Sequence, residues 1–219
     1  MNITRNIAAV KSTLPESVTL VAVSKFHPIG TLQEAYNAGQ RVFGENRVQE
    51  LAAKQPLMPP DVEWHFIGTL QSNKIKYIAP FIHTIQSVDS LNLLKKVNLE
   101  AMKCNRQIRV LLEVHIAGEA SKHGFGVDEC RSLVREGRLE AYTHVRVAGL
   151  MGMATYTDNQ AQIRQEFQTL RRLYDELKST GKADAFTELS MGMSDDYRIA
   201  IEEGSTMIRL GSLIFGKRK

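Results

Sequence analysis

A lysine that closes the most apolar run of a chain is a candidate nucleophile, and this sequence places one at Lys25. It follows Val18 to Ser24, VTLVAVS, a continuous β-branched run of the kind buried on both faces of a sheet. Desolvation at the end of such a run favours the neutral amine, and a neighbouring cation such as Arg209 favours it further. The amine is then able to attack an aldehyde. A lysine at a strand end can also simply snorkel to water. Position alone leaves both open.

Two small-residue turns tilt the balance towards chemistry. Ser190-Met191-Gly192-Met193-Ser194 leads into a helix expected over Asp195 to Glu203, with Ser194 as its N-cap and Gly204 as its stop. Arg209-Leu210-Gly211-Ser212 offers a second such turn after the next strand. Glycine turns of this kind present backbone N–H groups to a phosphate. Asp195 and Asp196 would repel an anion there and are expected to point away. If a phosphate rests against Gly192 and Gly211, the Arg209 side chain points at whatever ring carries it. Arginine does not give up its proton, so it donates to an unprotonated ring nitrogen and leaves that ring a poor electron sink. A surface ion pair is the plainer use of Arg209. A sugar-phosphate aldolase of the Schiff-base type would share the lysine and both turns.

The elements that must hold these residues alternate strictly. Strand-like runs cover Val18–Ser24, Arg41–Phe43, Glu63–Ile67, His83–Ser87, Val110–Ile116, Val145–Leu150, Glu188–Ser190 and Met207–Leu210. Helical patterns lie between them at Leu32–Ala38, Arg47–Lys54, Ser90–Lys103, Asp128–Glu136, Asn159–Ser179 and Asp195–Glu203. One-directional alternation means parallel strands with right-handed crossovers, and about eight units in 219 residues predict one closed (β/α)₈ barrel, a TIM barrel. The GxGxxG of an open dinucleotide-binding sheet is absent, because the first strand runs into Ser24-Lys25-Phe26. Barrels carry their reactive groups at the C-terminal strand ends. Those ends are Ser24-Lys25, Gly44-Glu45-Asn46, Gly68, Met151-Gly152-Met153, Ser190-Met191-Gly192 and Arg209-Leu210-Gly211-Ser212.

Composition restricts the setting. The chain is 43% hydrophobic and 24% charged, with no apolar run near the roughly 20 residues of a membrane span and no secretory leader pattern. A cytoplasmic location follows as the expectation. Cys104 and Cys130 show no metal-ligand spacing and read as reduced thiols, and no metal is expected. The net charge of +4 is scattered apart from Lys217-Arg218-Lys219, so no nucleic-acid partner is expected.

The whole chain resembles the YggS/PROSC family of pyridoxal 5'-phosphate (PLP) homeostasis proteins. Trp64-His65-Phe66-Ile67-Gly68-Thr69-Leu70-Gln71-Ser72-Asn73-Lys74 is similar to that family's signature. Ala22-Val23-Ser24-Lys25, Phe43-Gly44-Glu45-Asn46-Arg47, Gly149-Leu150-Met151, Leu189 to Asp195, Ile208-Arg209-Leu210-Gly211 and Ile214-Phe215-Gly216 support the match. The resemblance implies one barrel over residues 1–219 like the N-terminal domain of alanine racemase, of PLP fold-type III. It implies PLP on Lys25 as a Schiff base and Arg209 at the pyridine nitrogen. Ser190, Gly192, Gly211 and Ser212 would hold the phosphate, and Asn46, His65 and Met151 would line the pocket. His115 stands where the family often carries asparagine, and a hydrogen-bonded strand-end histidine is its plainer use.

The resemblance implies a protein that holds PLP and passes it to apo-enzymes, with no catalytic residue assigned; a PLP-dependent racemase or lyase is the alternative. Racemisation needs a proton donor on each face of the substrate carbon. Lys25 serves one, and Tyr36, Tyr77, Tyr142, Tyr156, Tyr174 and Tyr197 all fall in helices or loops, with Tyr156 the nearest substitute. Related racemases take the second acid from a further domain and a partner subunit. A short chain therefore predicts little turnover and a monomer.

Overall fold

The run that ends before Lys25 forms β1 (Thr19–Val23). β2 (Val42–Glu45), β3 (Glu63–Phe66), β4 (Thr84–Val88), β5 (Ile108–Glu113), β6 (Val145–Met151), β7 (Glu188–Ser190) and β8 (Met207–Leu210) follow in this computed structural model. The structure describes residues 2–118 and 123–216, so the basic stretch Lys217-Arg218-Lys219 lies outside the described residues. Each strand pairs in parallel with the next, and β1 closes on β8 with Thr19 opposite Met207 and Ala22 opposite Leu210. The expected (β/α)₈ barrel is the fold.

Helices cover the outside: α2 (Ile29–Asn37), α3 (Val48–Lys54), α4 (Leu91–Lys103), α5 (Val127–Arg135), α6 (Gln160–Ser179) and α7 (Tyr197–Glu202). The β3–β4 crossover is a 3₁₀ stretch, Ser72–Tyr77. The sequence reading did not foresee α1 (Ile3–Lys11), which precedes β1, or α8 (Ser212–Phe215), which follows β8.

Two boundaries differ from expectation. β5 ends at Glu113, before Ile116: the Val114 N–H still donates to the Met151 carbonyl of β6 at 2.8 Å, but the chain there also bridges Phe125, and the His115 N–H donates to the Phe125 carbonyl at 2.9 Å instead of continuing the β6 ladder. α7 starts at Tyr197, and Ser194 is not its cap. Asp196 takes that position but turns its carboxylate back onto the Met193 N–H at 2.5 Å, a local bond that competes with helix.

Alternation along the strands sorts core from axis. Leu20, Ala22, Phe43, Trp64, Phe66, Ile85, Val110, Leu112, Leu150, Leu189 and Ile208 face outward into one apolar core beneath the helices. Each of the leucine, isoleucine, valine and phenylalanine side chains among them contributes about 2 kcal/mol of transfer free energy. The alternate positions face the axis, and several are polar: His65, Gln86, Glu113, Ser190 and Arg209 are all buried. One glycine is forced by the barrel itself. Gly149, at φ +151°, sits where the β5–β6 register shifts, and a Cβ there would lie 1.8 Å from the Glu188 carbonyl oxygen. Cys104 and Cys130 are both free thiols. No described helix is long and apolar enough to cross a membrane.

Candidate cofactor site

A cavity of about 530 Å³ opens at the C-terminal ends of the strands, within the size range of small-molecule sites. Lys25 lines it just beyond β1, Asn46 just beyond β2, Ile67 and Gly68 beyond β3, Glu113 from β5 and Arg209 from β8. Gly211 and Ser212, at the start of α8, complete the wall beside Arg209.

Arg209 is 5% exposed, and its guanidinium donates to Ser190 Oγ at 2.5 Å and to the Gly152 carbonyl at 3.1 Å. Burial lowers it to about 10, with Asp196 and Glu113 opposing, so it stays a cation at neutral pH. That charge dictates every proton behind it. Ser190 Oγ accepts from Arg209, so its own hydrogen goes to Gln86 Oε1 at 2.7 Å. The Gln86 amide N–H group must then face His65 Nδ1 at 2.8 Å, which makes that nitrogen the acceptor and leaves the imidazole proton on Nε2. His65 is buried and desolvation lowers it to about 3, so it is neutral. The chain Arg209–Ser190–Gln86–His65 thus crosses the barrel from β8 through β7 and β4 to β3.

Of the residues expected at the site, the structure brings Lys25, Asn46, Arg209, Gly211 and Ser212 together on the cavity wall. Ser190 and His65 stand behind that wall, as members of the relay. Met151 is buried against Leu111 and Ala148, and Gly192 is buried at φ +97°, where a Cβ would meet that of Ala200 at 2.6 Å. Asp195, expected to point away, lines the cavity, whereas Asp196 turns to Met193. His115 bonds its own loop, Nε2 to the Ala117 carbonyl at 2.8 Å.

The sequence reading missed Glu113. It is 9% exposed, and burial, reinforced by Asp89 and opposed by Arg209, pushes its carboxyl up to about 7. A strand ending at residue 113 would have put it at a strand end. Gln86 was missed as well, since nothing local marks a glutamine whose partner is Ser190.

One group of metal-ligand types lies off the cavity wall, near the starts of β3 and β4. Glu63, His65 and His83 bring potential ligand atoms within 4.8 Å of one another. The two imidazoles are stacked with centroids 5.5 Å apart and planes at 4°, so one ion cannot lie in both ring planes. The proton on His65 Nε2 closes that atom to a metal besides. PLP, by contrast, fits: the cavity offers a primary amine at Lys25, a buried cation at Arg209, small residues at Gly211-Ser212 and a buried acceptor without a partner at Asn46 Oδ1.

Known proteins share this sequence pattern and this fold. The family model for the alanine racemase N-terminal domain matches residues 1–219. The pyridoxal phosphate homeostasis protein of Aquifex aeolicus is 43% identical over 201 residues, 91% of this chain and 87% of that protein. That of Schizosaccharomyces pombe is 41% identical over 205 residues, covering 92% and 85%. The structure of PipY from Synechococcus elongatus without PLP superposes with a TM-score of 0.92 at 39% identity, over 98% of this chain and all (100%) of that one. The same protein with PLP bound gives 0.89 at 38%. Alanine racemase of Streptomyces lavendulae, at 15% identity and a TM-score of 0.83, shares the fold over 57% of its length. This chain belongs to the alanine racemase N-terminal domain family and, within it, to the pyridoxal phosphate homeostasis proteins.

Proposed function

We propose that this protein binds PLP, holds it as a Schiff base on Lys25 in the cytoplasm and serves PLP homeostasis by delivering it to apo-enzymes, with little turnover of its own. The observation that carries this is the pairing, on one cavity wall, of the Lys25 amine with the buried Arg209 guanidinium. The bound cofactor supplies an aldehyde that condenses with a primary amine and a conjugated ring that absorbs visible light.

The residues divide the work. Lys25 carries the covalent link. Arg209, fixed by Ser190 and the Gly152 carbonyl, donates towards the ring nitrogen, and being a permanent cation it does not protonate that nitrogen. Gly211 and Ser212 receive the phosphate, with Ser190 and Gly192 shaping the turn beneath it. Asn46 offers its free acceptor to the ring substituents, and His65 and Met151 support from behind. A ring kept unprotonated is a poor electron sink, which suits storage better than carbanion chemistry. The homeostasis name of the relatives supports the same choice. We further propose that the protein works as a monomer.

The test is an absorbance spectrum of the protein with PLP before and after borohydride, with peptide mapping of the reduced adduct. A visible band, lost on reduction and mapped to Lys25, is expected, and Lys25→Ala should show neither. An adduct on another lysine overturns the assignment. A sugar-phosphate Schiff base would be colourless.

One observation favours the alternative of a PLP-dependent racemase or lyase: Glu113 places a carboxyl near neutrality in the cavity wall, where it could move a proton. Robust turnover of amino acids, lost in both Lys25→Ala and Glu113→Gln, would establish that alternative.

A further inference from the structure

The short hook that carries Lys25 is fastened by charged groups that the cofactor reading leaves unused. Ser24 is fully buried, and its hydroxyl donates to Glu45 Oε1 at 2.6 Å. Lys54, on α3 and 7% exposed, donates to the Ser24 carbonyl at 2.9 Å, to Glu45 Oε1 at 2.7 Å and to Glu50 Oε1 at 2.6 Å. Glu50 Oε1 in turn accepts the Phe26 backbone N–H at 2.6 Å. The peptide group before Lys25 and the peptide group after it are therefore both held, one by Lys54 and one by Glu50.

The hook needs holding. Phe26 sits at φ +67°, left-handed backbone that disfavours a residue with a Cβ, and its ring is only partly covered, with the Arg47 guanidinium 4.8 Å from its centroid. The holding cluster is also a poor bargain as pure structure. Two carboxylates share one ammonium, Glu45 is fully buried, and its Oε2 has no partner. Burial pushes the Glu45 carboxyl up while its bonds to Lys54 and Ser24 pull it down. Buried ion clusters are often replaceable by apolar packing without loss of stability, so one that clasps both peptides around a candidate nucleophile points to orientation.

We infer that Glu50, acting with Lys54 and braced by Glu45, is the positioning residue for Lys25. It sets the direction in which that side chain leaves the backbone, and hence the approach of the amine to an aldehyde in the cavity. This rests on the proposed attachment of PLP to Lys25.

Glu50→Ala and Glu50→Gln test it, each followed by thermal midpoint, apparent PLP affinity, the pH midpoint of the visible band and mapping of the borohydride adduct. Glu50→Ala should bind PLP about tenfold more weakly, the worth of one charge-assisted hydrogen bond, and shift the pH midpoint. Glu50→Gln keeps an acceptor for the Phe26 N–H and should recover most of the affinity. If Glu50→Ala does not fold, Glu50→Met keeps the bulk without the acceptor and takes its place. A lowered thermal midpoint with affinity and pH midpoint unchanged would overturn the inference and make the cluster structural. Wild-type protein that fails to label at Lys25 would instead sink the attachment itself, and the inference with it.

Discussion

Glu113 gives the sharpest quantitative test, because its effect has a sign as well as a size. Its carboxyl is raised from an ordinary 4.5 to about 7 in the folded protein, chiefly by burial. An acid raised in this way binds its proton more tightly folded than unfolded. Its contribution therefore favours folding fully below pH 4.5 and is lost as the pH rises through about 7. From 4.5 to about 7 is a gap of about 2.5 pH units, and at about 1.4 kcal/mol per unit the loss is about 3 kcal/mol. Glu113→Gln keeps the shape and a polar head but never ionises. The stability of the cofactor-free variant relative to wild type should therefore rise by about 3 kcal/mol between pH 4.5 and pH 8.5. Guanidinium unfolding followed by fluorescence reads this directly, since Trp64 is the only tryptophan and is buried in the core. A difference between variant and wild type that stays constant with pH, or shrinks as pH rises, would refute the placement of Glu113 as a buried, charge-averse group.

Ser190→Ala removes the joint between Arg209 and Gln86 and leaves Arg209 Nη1 and Gln86 Oε1 without that partner, so it should cost about 2 kcal/mol in chemical denaturation. Gly149→Ala must place a Cβ 1.8 Å from the Glu188 carbonyl oxygen at φ +151°; soluble, fully folded variant with an unchanged melting curve would contradict the register shift at β5–β6. Burial pushes the Cys130 thiol up to about 12, whereas Cys104 is half-buried. Titration with a thiol reagent at pH 8 should accordingly count one reactive cysteine in native protein and two after unfolding.

The barrel was legible because its signal is repeated. Each strand is a short apolar run bounded by turn residues, and one misjudged end does not disturb the count. β7 shows how little suffices: Glu188-Leu189-Ser190 holds one outward apolar residue, yet its place between α6 and α7 identifies it. Errors fell where tertiary contacts override local pattern. The run to Ile116 looks like one strand, and it is pairing with Phe125, distant in sequence, that ends β5 at Glu113. Ser194 is as good a cap as sequence can offer, but Asp196 satisfies the Met193 N–H first and delays α7.

The site was legible in proportion to how far each residue's role is carried by its own type. Lys25, Gly211 and Arg209 announce themselves as amine, turn and fixed cation. Glu50 and Lys54, four apart on a helix, read as an ordinary surface pair; only the packing of α3 against β2, with the Ser24 carbonyl beyond β1 in reach, buries that lysine. Gln86 lies 104 residues from Ser190, and no local rule joins them. Apart from Glu113 on the cavity wall, what escaped the sequence is the layer of partners behind each candidate reactive group. Lys54 stands behind Lys25, and the relay through Ser190 and Gln86 stands behind Arg209. Both layers are built of hydrogen bonds at buried positions, the first between α3 and the ends of β1 and β2 and the second inside the barrel, where apolar packing would have served stability. A hydrogen bond fixes direction, which packing alone does not, and direction is what the proposed attachment of PLP to Lys25 opposite Arg209 would require.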